Sequence, residues 1–369
     1  MFSGALTPGS NPEMEPSMTH DPTPVLGRRS LFGAAALGIG GLLVGCSSGP
    51  TVDAGPVRIG YFPNITHAPG LIADAAGFFG TRLAAANATP VTSSFNAGPQ
   101  VLQAILSGSL DISYIGPNPT VTAYARSRST GIRVISGSTS GGSALVVRAG
   151  ITTPAQLKGR RFASPQLGNT QDVAFRSWLH TQGLTASQDG GGDVSILPQA
   201  NSAAVQAFKT GNIDGGWVPE PYWSSLVKAG GHVLVDERTL WPGGRFVTTN
   251  VIVRTEFLTK RPLAVQAFLE AHLDALDLCA ADAGKARGFA ASQIKKITSQ
   301  TPDAGSLAAA WGNLAFTADP LAATLRQSAA NADSVGLLVA KPTDDFASLW
   351  QLDPLNAVLL ARGQKAVAA

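Results

Sequence analysis

The nine residues Gln103–Asp111 (QAILSGSLD) return 103 positions later as Gln206–Asp214 (QAFKTGNID). Gln, Ala, Gly and Asp are identical in the two copies, and Ser107/Thr210 and Leu110/Ile213 are close substitutes. Both copies read as the end of a helix, a glycine that stops it, and a strand entered through an aspartate. Tyr114 and Ile115 then fall over Trp217 and Val218, and each strand runs into a Pro-containing turn, at residues 116–119 (GPNP) and 219–221 (PEP). A chain that repeats this unit at that distance is predicted to build two similar α/β lobes that face each other.

The runs around the repeat agree. Residues 57–62, 91–95 and 111–115 read as strands, with helices over 68–79 and 99–106 between them. The order returns as a strand at Phe162, a helix over 170–181, a strand over 194–197, a helix over 202–210 and a strand over 213–218. Such alternation predicts mostly parallel sheets flanked by helices. Gly141-Gly142 and Gly243-Gly244 suit two hinge crossings, because glycine tolerates unusual φ. The predicted layout puts residues 57–140 and 246–369 in the first lobe and 141–245 in the second. The strand-like run 245–254 returns the chain to the first lobe, and the helical tail from Pro262 packs there.

The first 45 residues read as an address. Arg28 and Arg29 stand directly before residues 31–45 (LFGAAALGIGGLLVG), an uncharged run too short to span a bilayer. It fits the apolar region of a secretory signal, and the paired arginines fit twin-arginine export. The run ends in Leu43-Val44-Gly45-Cys46, which resembles a lipoprotein cleavage site with Cys46 as the lipidated residue. Two acyl chains on that cysteine suffice for stable anchoring. Either Met1 or Met18 can serve as the start. Residues 46–56 then form a linker, and the protein is expected outside the cytoplasm, held to the membrane by its lipid.

Composition narrows the partners. A net charge of +3 and 14% charged residues exclude the basic footprint of a nucleic-acid binder. Two cysteines build no disulfide framework, and Cys279, in an apolar run, reads as a small buried hydrophobe. There is no GxSxG elbow, HExxH, CxxC or phosphate-binding GKS/T loop. No metal, cofactor or catalytic residue is expected, and the protein is expected to act as a monomer.

In open α/β sheets, ligands bind at the carboxyl ends of the strands. The clearest candidate there is Asn169 and Thr170, which open the 170–181 helix. Its first N–H groups form an anion site, or are simply capped by one of these two side chains. Gly142 and Ser143 lie in a second polar turn that offers backbone N–H groups or merely a hinge. Asn64 and His67 follow the first strand, with His67 either cleft-facing or a satisfied polar residue. Trp217 walls the cleft or belongs to the core. Glu220 is a cleft acceptor or complements the next helix dipole. None of these loops is rich in Lys or Arg, so they favour a compact oxyanion over a polyphosphate.

Five segments, in order and behind the lipoprotein-like signal, carry a resemblance: 57–63 (VRIGYFP) with 73–79 (ADAAGFF), 107–119 (SGSLDISYIGPNP), 165–172 (PQLGNTQD), 216–221 (GWVPEP) and 249–253 (TNVIV). The chain resembles the periplasmic substrate-binding proteins of ABC importers, in the aliphatic sulfonate, taurine and nitrate group. The resemblance spans about Val57 to Leu276. It implies a two-lobed fold of type II, with two crossing strands, that closes on solute. It implies delivery of a small anion, an alkanesulfonate first, to an ABC permease with its ATPase. Taurine, nitrate or a thiamine-precursor pyrimidine are alternatives, as are an extracytoplasmic enzyme built on Glu220 and His67 and a membrane-coupled sensor. Ligand contacts carried over from the family fall on Asn64, His67, Gly116, Asn118, Gly142, Ser143, Asn169, Thr170, Trp217 and Glu220.

Overall fold

The computed structural model describes residues 54–338 and 340–369. The signal, Cys46 and most of the linker lie outside the described residues. Within them, no helix is long and apolar enough to cross a membrane.

Among the described residues, eleven strands form two mixed sheets. They are β1 (Gly55–Tyr61), β2 (Ala88–Ser94), β3 (Ile112–Ile115), β4 (Ile132–Gly141), β5 (Ser143–Val147), β6 (Arg161–Ser164), β7 (Ser195–Pro198), β8 (Gly215–Pro219), β9 (His232–Asp236), β10 (Val247–Arg254) and β11 (Leu314–Phe316). The first sheet has the order β11-β4-β10-β3-β1-β2 and the second β7-β6-β8-β5-β9. Three adjacent strands of each sheet are parallel: β2, β1 and β3, then β7, β6 and β8. The remaining pairings are antiparallel, so parallel strands predominate only in these triplets. The reason is the connection. β4 ends at Gly141 in the first sheet and β5 starts at Ser143 in the second, while β9 is followed by β10 back in the first. Strands that enter a sheet from the other sheet run against those laid down by helical crossovers.

The repeat is structural down to single hydrogen bonds. The Asp111 N–H donates to the Arg58 carbonyl at 3.0 Å, and the Arg58 N–H donates back to Asp111 Oδ2 at 3.0 Å. Asp214 does the same with Arg161, at 2.7 and 3.0 Å. Arg58 and Arg161 are themselves 103 residues apart. Strand register follows, with Ile59 opposite Ile112 and Phe162 opposite Gly215. The two preceding helices stop alike. Gly108 and Gly211 take φ of +76° and +83°, where a side chain is strained. The next N–H, of Ser109 or Asn212, bonds the carbonyl of Ala104 or Ala207 at 2.9 Å, a Schellman ending in both copies.

Each sheet is covered on both faces, and residues alternate between the two. Val251 and Val253 of β10 pack with β1 and the tail helices Pro262–Ala281 and Ala283–Thr298, while Ile252 packs with the helices Gly98–Leu106 and Pro117–Arg126. In the second sheet Leu145 and Val147 face helix Thr170–Thr181, and Ala144 and Val146 face helices Asn201–Lys209 and Tyr222–Lys228. Cys279 is buried in the first core, and burial pushes its thiol up to about 12.

Three local expectations change. The stretch 68–79 is not one helix: Gly77, at φ +75°, ends Ala68–Ala75 and starts Phe78–Ala84 on a new axis. β2 begins at Ala88 rather than Val91, because Ala88 to Pro90 continue the parallel ladder along Gly55 to Val57. The tail does not pack only on the first sheet. Helix Ala322–Ser334 and Leu337 also meet Val173 of helix Thr170–Thr181, so one element touches the helices of both sheets.

Candidate functional site

All six parallel strands deliver residues to one cavity from their carboxyl ends. Phe62, Asn64, Thr66 and His67 follow β1, Asn96 follows β2, and Gly116 follows β3. Asn169, Thr170 and Gln171 follow β6, Asn201 follows β7, and Pro219 ends β8; Thr248 of β10 completes the wall. His67 and Thr170 are 103 residues apart, as are Gly116 and Pro219, so the repeat places matched positions on one space. The cavity measures about 20 Å³, room for a water-sized group, so a larger solute enters only if the lining loops part.

The donors are neutral and the helix ends point inward. Asn169 is the N-cap of helix Thr170–Thr181, but its side chain makes no capping bond, and neither does Gly116 at the start of helix Pro117–Arg126. The N–H groups of Thr170, Gln171 and Asp172 precede the first intrahelical bond, from Val173 to the Asn169 carbonyl; at the other helix Pro117 and Pro119 carry no N–H and Thr120 already bonds Gly116, so Asn118 alone offers one. Thr170 is 6% exposed, and its Oγ1 is buried without a hydrogen-bond partner. A Cβ at Gly116 would lie 2.2 Å from that oxygen, so only glycine lets Thr170 come this close. Asn201 Oδ1 is likewise buried without a partner.

His67 is buried and stacks on Phe62 with ring centroids 4.2 Å apart. Its Nδ1 faces the Phe62 N–H at 3.4 Å, which leaves the proton on Nε2. Burial pulls its pKa down to about 3, so at neutral pH it is an uncharged donor. Asn64 shapes the same turn: its Oδ1 accepts from the Thr66 N–H at 3.0 Å and from the Thr66 hydroxyl.

A buried ion pair holds the loop before Thr170. Asp172 accepts from Ser164 Oγ at 2.6 Å, from the Gly168 N–H at 3.0 Å and from Arg176 Nε at 3.0 Å. Both charged side chains are almost wholly buried, at 0% and 2% exposure.

Asn64, His67, Gly116, Asn169 and Thr170 thus come together, and the other five candidates do not line the cavity. Asn118 Nδ2 donates to the Ser328 carbonyl at 2.9 Å. Gly142, at φ +72°, sits between the sheets, and its carbonyl accepts from the Glu220 N–H at 2.8 Å. Trp217 is in the second core against Phe175 and Trp178, where its Nε1 donates to Ser143 Oγ at 3.1 Å and Glu237 Oε2 at 2.8 Å. Glu220 accepts from Ser224 Oγ at 2.9 Å, the Ser224 N–H at 3.0 Å and Asn313 Nδ2 at 2.7 Å, and burial pushes its carboxyl up. The cavity also takes Phe62, Gln171 and Pro219, which lie inside the segments that carry the resemblance, and Thr66, Asn96, Asn201 and Thr248, which lie outside them. The strand-end rule reaches Asn96, between β2 and helix Gly98–Leu106, and Asn201, which opens helix Asn201–Lys209 after β7.

A family model, the NMT1-like family, matches residues 52–294. The taurine-binding periplasmic protein of Escherichia coli (strain K12) is 29% identical over 184 residues, 49% of this chain and 54% of that protein. The chain spans about half the length of that curated relative. The alkanesulfonate-binding protein SsuA from Xanthomonas axonopodis pv. citri, bound to MOPS, has a TM-score of 0.64 at 19% identity, over 79% of this chain and 97% of that one. The periplasmic nitrate-binding protein NrtA from Synechocystis PCC 6803 has a TM-score of 0.66 at 16% identity, over 84% and 89%. At such identities the two structures speak for the fold alone, and it is that of periplasmic binding proteins. With two-thirds of its length under the family model and the paired sheets of that fold, the chain belongs to the NMT1-like family.

Proposed function

We propose that this protein is an extracytoplasmic solute-binding component of an ABC importer that captures a small organosulfonate in the cavity. One observation carries the reading: a partnerless, buried Thr170 Oγ1 stands beside two uncapped helix N-termini in a cavity lined by all six parallel strands. Orphan N–H groups and helix dipoles suit an oxyanion. The relative named for taurine supports an organosulfonate. The cycle is binding, closure of two lobes about the crossings at residues 141–142 and 243–244, docking on the permease, and release. An enzyme built on Glu220 and His67 finds no support, because Glu220 is engaged by Ser224 and Asn313 and does not line the cavity with His67.

Thermal melting against alkanesulfonates, taurine, sulfate, nitrate and pyrimidines tests this. A ligand at about 100 times its Kd stabilises by roughly 2.7 kcal/mol. A shift with sulfonates is expected; a shift confined to nitrate or a pyrimidine replaces the ligand. Asn169→Ala and Thr170→Ala together are expected to weaken binding by about 1–3 kcal/mol by calorimetry. Affinity unchanged in both variants rules out the helix-terminus site.

Lipid on Cys46 would hold the protein at the outer face of the cytoplasmic membrane. Cys46→Ser is expected to move it into the soluble fraction, and retention in washed membranes defeats the anchor.

A further inference from the structure

We infer that the cavity selects a ligand with one negative charge and no positive one, so that it prefers a simple alkanesulfonate over zwitterionic taurine and over the sulfate dianion. The inference rests on the binding reading above and sets its charge rule. Among the described residues, no Asp, Glu, Lys or Arg lines the cavity. His67, its one titratable side chain, is held neutral by burial.

The carboxylates on the framing elements already have donors. Asp74, on the helix after His67, accepts from the Tyr61 hydroxyl, from Thr92 Oγ1 at 3.1 Å and from Gln293 Nε2 at 2.6 Å. Asp172 holds Ser164, Gly168 and Arg176, and Glu220 holds Ser224 and Asn313. Arg176 is turned away as well, donating to the carbonyls of Ala186 and Ser187 at 3.1 and 2.8 Å. An ammonium brought into this space would lose its water and meet no carboxylate in return. A second negative charge would meet the same neutral donors, already shared with the first. Two helix N-termini of roughly half a positive charge each match one negative charge better than two. This sets the chain apart from its relative named for taurine.

Two isosteric pairs isolate charge from shape: propane-1-sulfonate with taurine, and methanesulfonate with sulfate. Calorimetry on the full chain at pH 7.5 is expected to give the first member of each pair at least about tenfold tighter binding, a difference of about 1.4 kcal/mol. Taurine or sulfate binding as tightly as its isostere overturns the inference. Asn201→Asp places a carboxylate at the partnerless Asn201 oxygen and should cut the propane-1-sulfonate preference over taurine at least about tenfold. An unchanged ratio counts against the inference. Nitrate binding while all four sulfur ligands fail upholds the charge rule but removes the organosulfonate reading. Failure of nitrate as well overturns both.

Discussion

Asp172→Ala should lower the unfolding free energy by about 3–5 kcal/mol, the cost of leaving a buried charge without its partner. The carboxylate is fully buried, and three donors converge on it from Ser164, Gly168 and Arg176. Alanine would strand the Arg176 guanidinium, which is itself 2% exposed. It would also free the Gly168 N–H, which ties the loop leading into Asn169 and Thr170. Ligand affinity is therefore expected to fall together with stability. Combining Asp172→Ala with Arg176→Met removes the stranded charge and should recover part of the loss. Urea unfolding of the three proteins decides it: a single variant within 1 kcal/mol of the parent, or a double variant worse than the single, rejects the assignment.

Acid should destabilise the fold well above the usual carboxylate range. Burial pulls His67 to about 3 and His272 to about 4, against about 6.5 in the unfolded chain. At His272 burial prevails even over a hydrogen bond to Gly137 that by itself favours the proton. The His272 Nδ1 meets the Tyr114 hydroxyl at 2.9 Å and its Nε2 the Gly137 carbonyl at 3.0 Å, both inside the core. Below pH 6.5 the unfolded chain binds two protons that the folded chain refuses until pH 3–4. The contribution is thus complete above pH 6.5 and drains away as pH falls through that window. At about 1.4 kcal/mol per proton and pH unit, the pair accounts for a loss of about 4 kcal/mol between pH 7 and 5. Glu220 and Glu237 work in the opposite direction, since burial raises both and the fold takes up their protons more readily. Comparing slopes separates the two: the double variant His67→Gln, His272→Gln should show a flatter dependence of stability on pH than the parent. Identical slopes would remove the histidines from the account.

The architecture was legible because the repeat carries backbone information. An aspartate that closes a strand, a glycine that must turn left-handed, and an arginine 53 residues upstream recur at one offset, and so does the register. Five of the twelve cavity residues were legible for the same reason, since strand ends follow from strands. What escaped was orientation. β8 is buried on both faces, so its alternation does not tell whether Trp217 looks to the core or to the cavity. Ser143 has the same ambiguity in β5. Asn96, Asn201 and Thr248 are single polar residues whose meaning comes only from the residues opposite them. The bridging position of helix Ala322–Ser334 has no counterpart in the repeat from which to infer it.

The path of the chain between the sheets bears on how the protein folds. Every strand of the second sheet lies between Ser143 and Asp236, whereas the first sheet is drawn from both sides of that stretch. Ser140 and Val247 nonetheless face each other in register. β4 and β10 are therefore the arms of a hairpin whose turn has been replaced by a whole α/β unit. The inner unit makes its pairings over short sequence distances and can nucleate first. Its formation brings the two arms together and spares the outer sheet most of the entropy of closing so long a loop. Insertion has been arranged so that the guest folds the host.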